Sequence, residues 1–144
     1  MVDLNIFNAD LVTEVDPTFD ISFTDIVNAY KEVFSDYDVG NINIIFVKRE
    51  YINELNKEYR NIDAPTDVLS FEIENGISEI YICPEFVYDS FQGDGYEEEI
   101  LRLIIHGTLH ILGYDHLQSM NDNPKEDMFI LQEELLLKLK KLCS

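Results

Sequence analysis

The stretch Val68-Leu69-Ser70-Phe71-Glu72-Ile73-Glu74-Asn75-Gly76-Ile77-Ser78-Glu79-Ile80-Tyr81-Ile82-Cys83 decides the fold. Two apolar runs rich in β-branched and aromatic residues, Val68 to Phe71 and Ile77 to Cys83, are joined through Glu74-Asn75-Gly76. Asn-Gly favours a tight antiparallel reversal, so a β-hairpin is expected in the middle of the chain. Toward the N-terminus, Ala64-Pro65-Thr66 breaks what precedes it, because proline lacks the amide donor and its ring obstructs helical bonding. Before that break, Glu50 to Asn61 reads as an amphipathic helix that uses Ile52, Leu55 and Tyr59. Further upstream, Asn43 to Val47 suits a buried strand and Val2 to Phe7 alternates like one. Between these strands, Ser22 to Asp36 places Ile26, Ala29, Tyr30, Val33 and Phe34 at helical spacing, with Ser22 or Thr24 as its cap.

After Pro84 the pattern turns helical in three pieces, near Glu85 to Phe91, Tyr96 to Leu112 and Pro124 to Leu142. Glu97, Glu98 and Glu99 open the long middle helix, where carboxylates complement the helix dipole. The last helix carries an apolar face of Phe129, Leu131, Leu135, Leu136, Leu139 and Leu142, read as core. The expected order is therefore β-α-β-α-β-β-α-α-α, and no linker, repeat or low-complexity tract divides residues 1–144.

Composition narrows the function. Twenty-nine acids against ten bases leave a formal charge of −19, which opposes nonspecific capture of nucleic acid or anionic membrane. The bases are uneven, since Lys48, Arg49, Lys57 and Arg60 share a short segment with only Glu50, Glu54 and Glu58. A solvated helix face accounts for such alternation, and a local nucleic-acid contact is the competing reading. No apolar run approaches the roughly 20 residues that span a bilayer, and the N-terminus lacks a secretory pattern, so no membrane partner is expected and the cytoplasm is the default location. Cys83 and Cys143 form no CxxC pair and are expected as free thiols, Cys83 within the core.

All three histidines fall in His106-Gly107-Thr108-Leu109-His110-Ile111-Leu112-Gly113-Tyr114-Asp115-His116. His106 and His110 are four apart on an expected helix, so both imidazoles project from one face and can reach one ion. Gly113 can take the left-handed conformation that ends the helix, turning the chain so that His116 approaches from a third direction. Three neutral imidazoles leave a fourth tetrahedral position open, the arrangement of a catalytic rather than a structural zinc site. The set favours one Zn²⁺ per chain, with Ni²⁺, copper and cobalt also within its affinity range. The same offsets occur in the metzincin pattern H-E-x-x-H-x-x-G-x-x-H, but Gly107 stands in place of the glutamate that acts as general base there, which removes the proton acceptor of peptide hydrolysis.

In two blocks the chain resembles the bacterial YbeY endoribonucleases, also described as ribosomal RNA maturation factors. One is the histidine stretch His106 to His116. The other is Leu55-Asn56 through Tyr59-Arg60 with Asp63-Ala64-Pro65-Thr66-Asp67-Val68-Leu69-Ser70-Phe71. Glu72, where proline is more usual, and Ser78-Glu79-Ile80, where Gly-Asp-Ile is more usual, depart from the family pattern. The resemblance implies a single α+β domain with a mixed sheet of about four strands, a metal held by His106, His110 and His116 at the end of the long helix, and single-strand-specific cleavage of RNA in small-subunit ribosomal RNA maturation and quality control. It points to Arg60 as the arginine of the catalytic cleft, and phosphodiester cleavage explains why: charge builds on the phosphoryl oxygens, which a guanidinium can clamp through two parallel bonds. A surface pair of Arg60 with Glu58, Asp63 or Asp67 is the bland alternative. His110 and Asp115 complete the candidate catalytic set; Asp115 either orients a histidine or accepts a proton, or caps the turn after Gly113. Asp67 either sets the start of the strand or steadies Arg60.

Three functional classes stay open at this level: a metal-dependent endoribonuclease acting on single-stranded, ribosomal RNA; a zinc metallopeptidase-like hydrolase; and a ribosome-associated binding protein whose metal is structural. So acidic a chain suits a ribosome-associated protein partner that supplies positive charge for RNA capture.

Overall fold

A computed structural model describes residues 2–91, 95–114 and 124–143. Its elements are β1 (Val2–Phe7), α1 (Asp10–Val15), α2 (Phe23–Val33), β2 (Gly40–Phe46), α3 (Arg49–Arg60), β3 (Val68–Glu74), β4 (Ile77–Ile82), α4 (Pro84–Phe91), α5 (Tyr96–Ile111) and α6 (Pro124–Cys143). The four strands make one mixed sheet in the order β1-β2-β4-β3. β1 and β4 both pair with β2 in parallel, and the expected hairpin puts β3 antiparallel to β4, with Leu69 opposite Tyr81 and Ser70 opposite Ile80. Gly76 turns the hairpin at φ +82°, and its carbonyl accepts the Asn41 amide at 2.8 Å. The turn is thus stitched to the start of β2, near Gly40, whose own φ is +72°.

Because strand side chains alternate between faces, the sheet divides its residues between two clusters. Ile42, Ile44, Phe46, Ile80 and Ile82 face the main core with α2, α5 and α6. Ile45, Leu69, Phe71 and Tyr81 face a smaller cluster built on Ile52 and Leu55 of α3. α3 therefore lies on one face of the sheet, joined in its cluster by Phe86 of α4, and α5 packs on β3 and β4 from the other. Cys83 is buried in the smaller cluster, and both cysteines are free. Among the described residues no helix is long and apolar enough to cross a membrane.

Three expectations change. α1 lies between β1 and α2, where no helix is expected from the sequence; six residues are too few to show a period. α1 is secured from outside instead, since Val12 is fully buried and its carbonyl accepts the Tyr96 hydroxyl at 2.8 Å. On α3, Tyr59 is 60% exposed and leans on Phe71, while Asn56 takes the buried place of that turn. On α6, Phe129 is 59% and Leu142 43% exposed. The buried stripe there runs through Met128, Gln132, Leu135, Leu136 and Leu139, which places Phe129 about a quarter turn off the seam and Leu142 in the helix's last turn. Ser22 does stand at the start of α2, but its side chain makes no capping bond.

Candidate functional site

His106 and His110 sit near the end of α5, a helix long enough to cross the core and deliver its last turns to the rim of the sheet beside β3. Their Nε2 atoms lie 2.9 Å apart, with rings at 77° to each other. The four-residue spacing thus produces the expected convergence. Immediately after, Gly113 adopts φ +84° and its amide bonds the His110 carbonyl at 3.0 Å, so the helix ends in the left-handed turn anticipated from the sequence. Asp115 and His116 lie outside the described residues. Among the described residues no group of three or more His, Cys, Asp and Glu side chains could hold an ion.

Two contacts hold the histidine-bearing turn. At Thr108 the hydroxyl donates to the Ile104 carbonyl at 2.8 Å, which leaves it to accept the buried Tyr30 hydroxyl, also at 2.8 Å, tying α5 to α2. Burial pushes the Tyr30 phenol far above its ordinary range, so it stays a donor. Gly107 meets the sheet: a Cβ there would come within 2.8 Å of Ile80 Cγ2 and 2.9 Å of Ser70 Oγ. The position aligned with the peptidase glutamate therefore faces the sheet rather than the cleft, with no room for even one methyl group. This weighs against the metallopeptidase-like reading on geometry as well as chemistry.

The opposite wall of the cleft comes from the far face of the sheet. α3 ends at Arg60, and Asn61 closes it in the left-handed region at φ 59°. The loop that follows is folded back by side chains of α3: Asn53 donates to Asp63 at 2.9 Å, and buried Asn56 donates to the Ala64 carbonyl at 2.9 Å. The Asp67 carbonyl then accepts the Cys83 amide at 3.0 Å, launching β3 beside β4. Asp67 thus stands at the strand start through its backbone, and the residue lines the cleft with Arg60. Arg60, exposed, makes no ion pair with Glu58, Asp63 or Asp67 among the described residues. Arg60, Thr66, Asp67 and Ser70 enclose, with His106 and His110, a cleft of about 640 Å³. The basic segment is not one patch. Arg49, at the opposite end of α3 about 16 Å away, is paired to Asp89 and donates to the Glu85 carbonyl.

A family model described as Endoribonuclease YbeY matches residues 5–140. The chain belongs to the YbeY family. An Endoribonuclease YbeY of Treponema denticola is 35% identical over 130 residues, covering 80% of this chain and 82% of that protein. One from Thermotoga neapolitana is 41% identical over 97 residues, 64% of this chain and 64% of that protein, so the match spans less than two thirds of that relative. A solution structure of a Thermotoga maritima protein superposes with a TM-score of 0.62 at 30% identity, covering 94% of this chain and 88% of that one. The single α+β architecture with a four-stranded mixed sheet is that of the YbeY fold.

One residue at this YbeY-family site escapes a reading of the sequence. Gln132 of α6, only 6% exposed, meets His106 Nδ1 with its Oε1 at 2.6 Å. A signal for it exists in the chain: Gln132 is the one polar side chain in a stripe otherwise made of Met128, Leu135, Leu136 and Leu139.

Proposed function

We propose that this chain is a metal-dependent endoribonuclease that cuts single-stranded RNA in the maturation of small-subunit ribosomal RNA. The observation that carries the reading is the facing of His106 and His110 by Arg60 across one cleft. Family membership supports the same chemistry, since its members are described as endoribonucleases. The residues fit a metal. Two imidazole nitrogens 2.9 Å apart approach the roughly 3.3 Å between two ligands held at about 2.0–2.1 Å on a tetrahedral zinc. His106, His110 and His116 would hold the ion, zinc or another divalent transition metal such as Ni²⁺, one per chain. When bound, such an ion supplies Lewis-acid polarisation of a phosphoryl oxygen or a water of lowered pKa.

The chain's own residues do the rest. Arg60, without an ion pair among the described residues, lines the cleft, where its guanidinium donates to the phosphoryl oxygens as their negative charge develops. Thr66 and Ser70 line the same cleft, beside which one RNA strand passes. Asp115 orients a histidine or accepts a proton. With a formal charge of −19, little positive surface is available, so a basic ribosome-associated partner assists RNA capture.

Cleavage of a single-stranded RNA oligonucleotide, compared with the same sequence in a duplex and with both after chelation, tests the reading. Turnover confined to the single strand, lost on chelation and restored by added Zn²⁺ or Ni²⁺, is expected. Equal cleavage of duplex, or turnover indifferent to chelator, would sink it. The product ends also name the nucleophile, because a 2′,3′-cyclic phosphate reports attack by the RNA 2′-hydroxyl, whereas a 5′-phosphate with a 3′-hydroxyl reports attack by water.

A further inference from the structure

The bond between Gln132 and His106 belongs to a longer chain of contacts whose polarity is forced. Arg102, one turn before His106 on α5, reaches Glu133 with two bonds, Nε to Oε2 and a terminal nitrogen to Oε1, both 3.0 Å. Arg102 also bonds Glu99 at 3.2 Å and Glu98 at 2.8 Å, and Lys140 of α6 closes on Glu98 at 2.7 Å. A carboxylate gripped by a guanidinium is ionised and can only accept. Gln132 therefore turns its amide nitrogen to Glu133, where Nε2 lies 3.2 Å from Oε2, and its Oε1 is left to face His106. An amide oxygen cannot donate, so the 2.6 Å contact requires the proton to sit on Nδ1 of His106. The Nε2 lone pair of His106 is then the one that faces the cleft and His110.

We propose that Gln132 is a positioning residue that locks His106 in the Nδ1-protonated tautomer, with the Arg102–Glu133 clamp fixing which way its amide points, so that Nε2 is held ready to ligate. The proposal rests on the metal reading of the cleft for its purpose, but not for its test, because the tautomer exists in the metal-free chain. A hydrogen bond from the non-ligating nitrogen fixes ring orientation and raises ligand basicity, and its loss commonly costs about 10–100-fold in metal affinity. Helix packing alone would ask nothing polar of position 132. It would be met equally well by leucine, the residue that fills the stripe at 135, 136 and 139.

The experiment uses the full chain after chelation and two substitutions of similar volume, Gln132→Leu and Gln132→Glu. Nitrogen-15 correlation spectra of the imidazoles read the tautomer directly, and titration with Co²⁺, followed by its visible absorption, reads affinity. In the unsubstituted chain His106 should carry its proton on Nδ1. Gln132→Leu should mix the two tautomers and weaken Co²⁺ by about 10–100-fold while the melting temperature stays the same or rises. Gln132→Glu, which still accepts from Nδ1, should keep the tautomer and bind Co²⁺ at least as tightly as the unsubstituted chain. A proton on Nε2 of His106 in the unsubstituted chain overturns the proposal, as does an unchanged tautomer in Gln132→Leu or, where the unsubstituted chain binds Co²⁺, a Gln132→Glu that binds no better than Gln132→Leu. If no form binds Co²⁺, the metal reading fails, and the tautomer measurement still decides the role of Gln132. Glu133→Gln supplies an independent check: without a fixed acceptor beside it the Gln132 amide is free to reverse, and the tautomer should again become mixed.

Discussion

The two walls of the cleft are built by opposite means. On the α5 wall every functional group is held by another: His106 by Gln132, Gln132 by Glu133, Glu133 by Arg102, and the helix itself by Thr108 with Tyr30 and by Gly107 against Ile80. On the α3 wall the backbone is fastened by Asn53 and Asn56, but Arg60 projects into solvent without an ion pair among the described residues. The contrast matches the tasks proposed for them. A ligand must be preorganised because each misplaced donor weakens every bond to the ion. An arginine that meets a flexible polyanion can be left mobile, because the phosphate completes its coordination. Damage to the first wall should therefore spread to neighbouring groups, whereas damage to the second should stay local.

The comparison breaks first at His110. His110→Ala should reduce RNA cleavage by roughly a thousandfold or more while the chain remains folded, and metal content should fall with it. Activity surviving in a folded, metal-depleted variant would make the histidine wall structural. Next, Arg60→Ala should lower single-turnover cleavage by roughly a hundredfold with metal content and melting temperature unchanged, the scale of losing a transition-state donor. Arg60→Lys should recover little, since an ammonium keeps the charge and loses the planar fork. Should both Arg60 variants melt earlier and cleave normally, Arg60 leaves the site and becomes a brace.

Gly107 sharpens the contrast from the structural side. Alanine is worth about 1 kcal/mol over glycine in a helix, but overpacking a filled interface costs about 1–3 kcal/mol, so Gly107→Ala should be destabilising on balance. The branch atom Ile80 Cγ2 stands in the way and cannot swing aside as a flexible chain end would. Gly107→Glu, which restores the metzincin pattern, should fail to fold stably and show no peptidase activity. Thermal melts of both variants check this, and a stable, peptidase-active Gly107→Glu would reinstate the hydrolase alternative.

The smallest effect concerns pH. Arg102 holds the Glu133 carboxyl below the ordinary carboxylate range, and Lys140, then Arg102, do the same for Glu98. Groups depressed in the folded state contribute stability above their unfolded pKa, and that contribution is lost as pH falls through the folded value. Burial raises Glu99, which acts in the opposite sense and blunts the loss. Urea midpoints measured from neutral pH to below the carboxylate range should fall, and less steeply in Arg102→Gln. An acid profile identical in the two would show that the cluster adds nothing to the α5–α6 seam.

How far such features were legible depends on their range. The hairpin was readable because Asn75-Gly76 and the runs beside it are contiguous, and β3 and β4 pair as the turn dictates. The histidine pair was readable for the same reason, since helical periodicity turns a spacing of four into a shared face. Tyr59 and Phe129 lie off the faces that periodicity gives them because a helix's seam is set by what it packs on: Asn56 takes the buried place on α3, and Met128 and Gln132 take it on α6.

By itself, then, the order of residues determined the local geometry: the strands, the hairpin, the Gly113 turn and the convergence of His106 with His110. Only the tertiary structure decided which partners those groups meet. Arg60 and the histidines lie 46 or more residues apart and come from opposite faces of the sheet, and Gln132 reaches His106 across 26 positions. Gly107 reads in the sequence as a missing catalytic base and in the fold as a contact with Ile80. The physical reason is one of range: backbone periodicity and turn chemistry act over a few residues, while burial and hydrogen bonding select partners by proximity in space, which chain position does not encode.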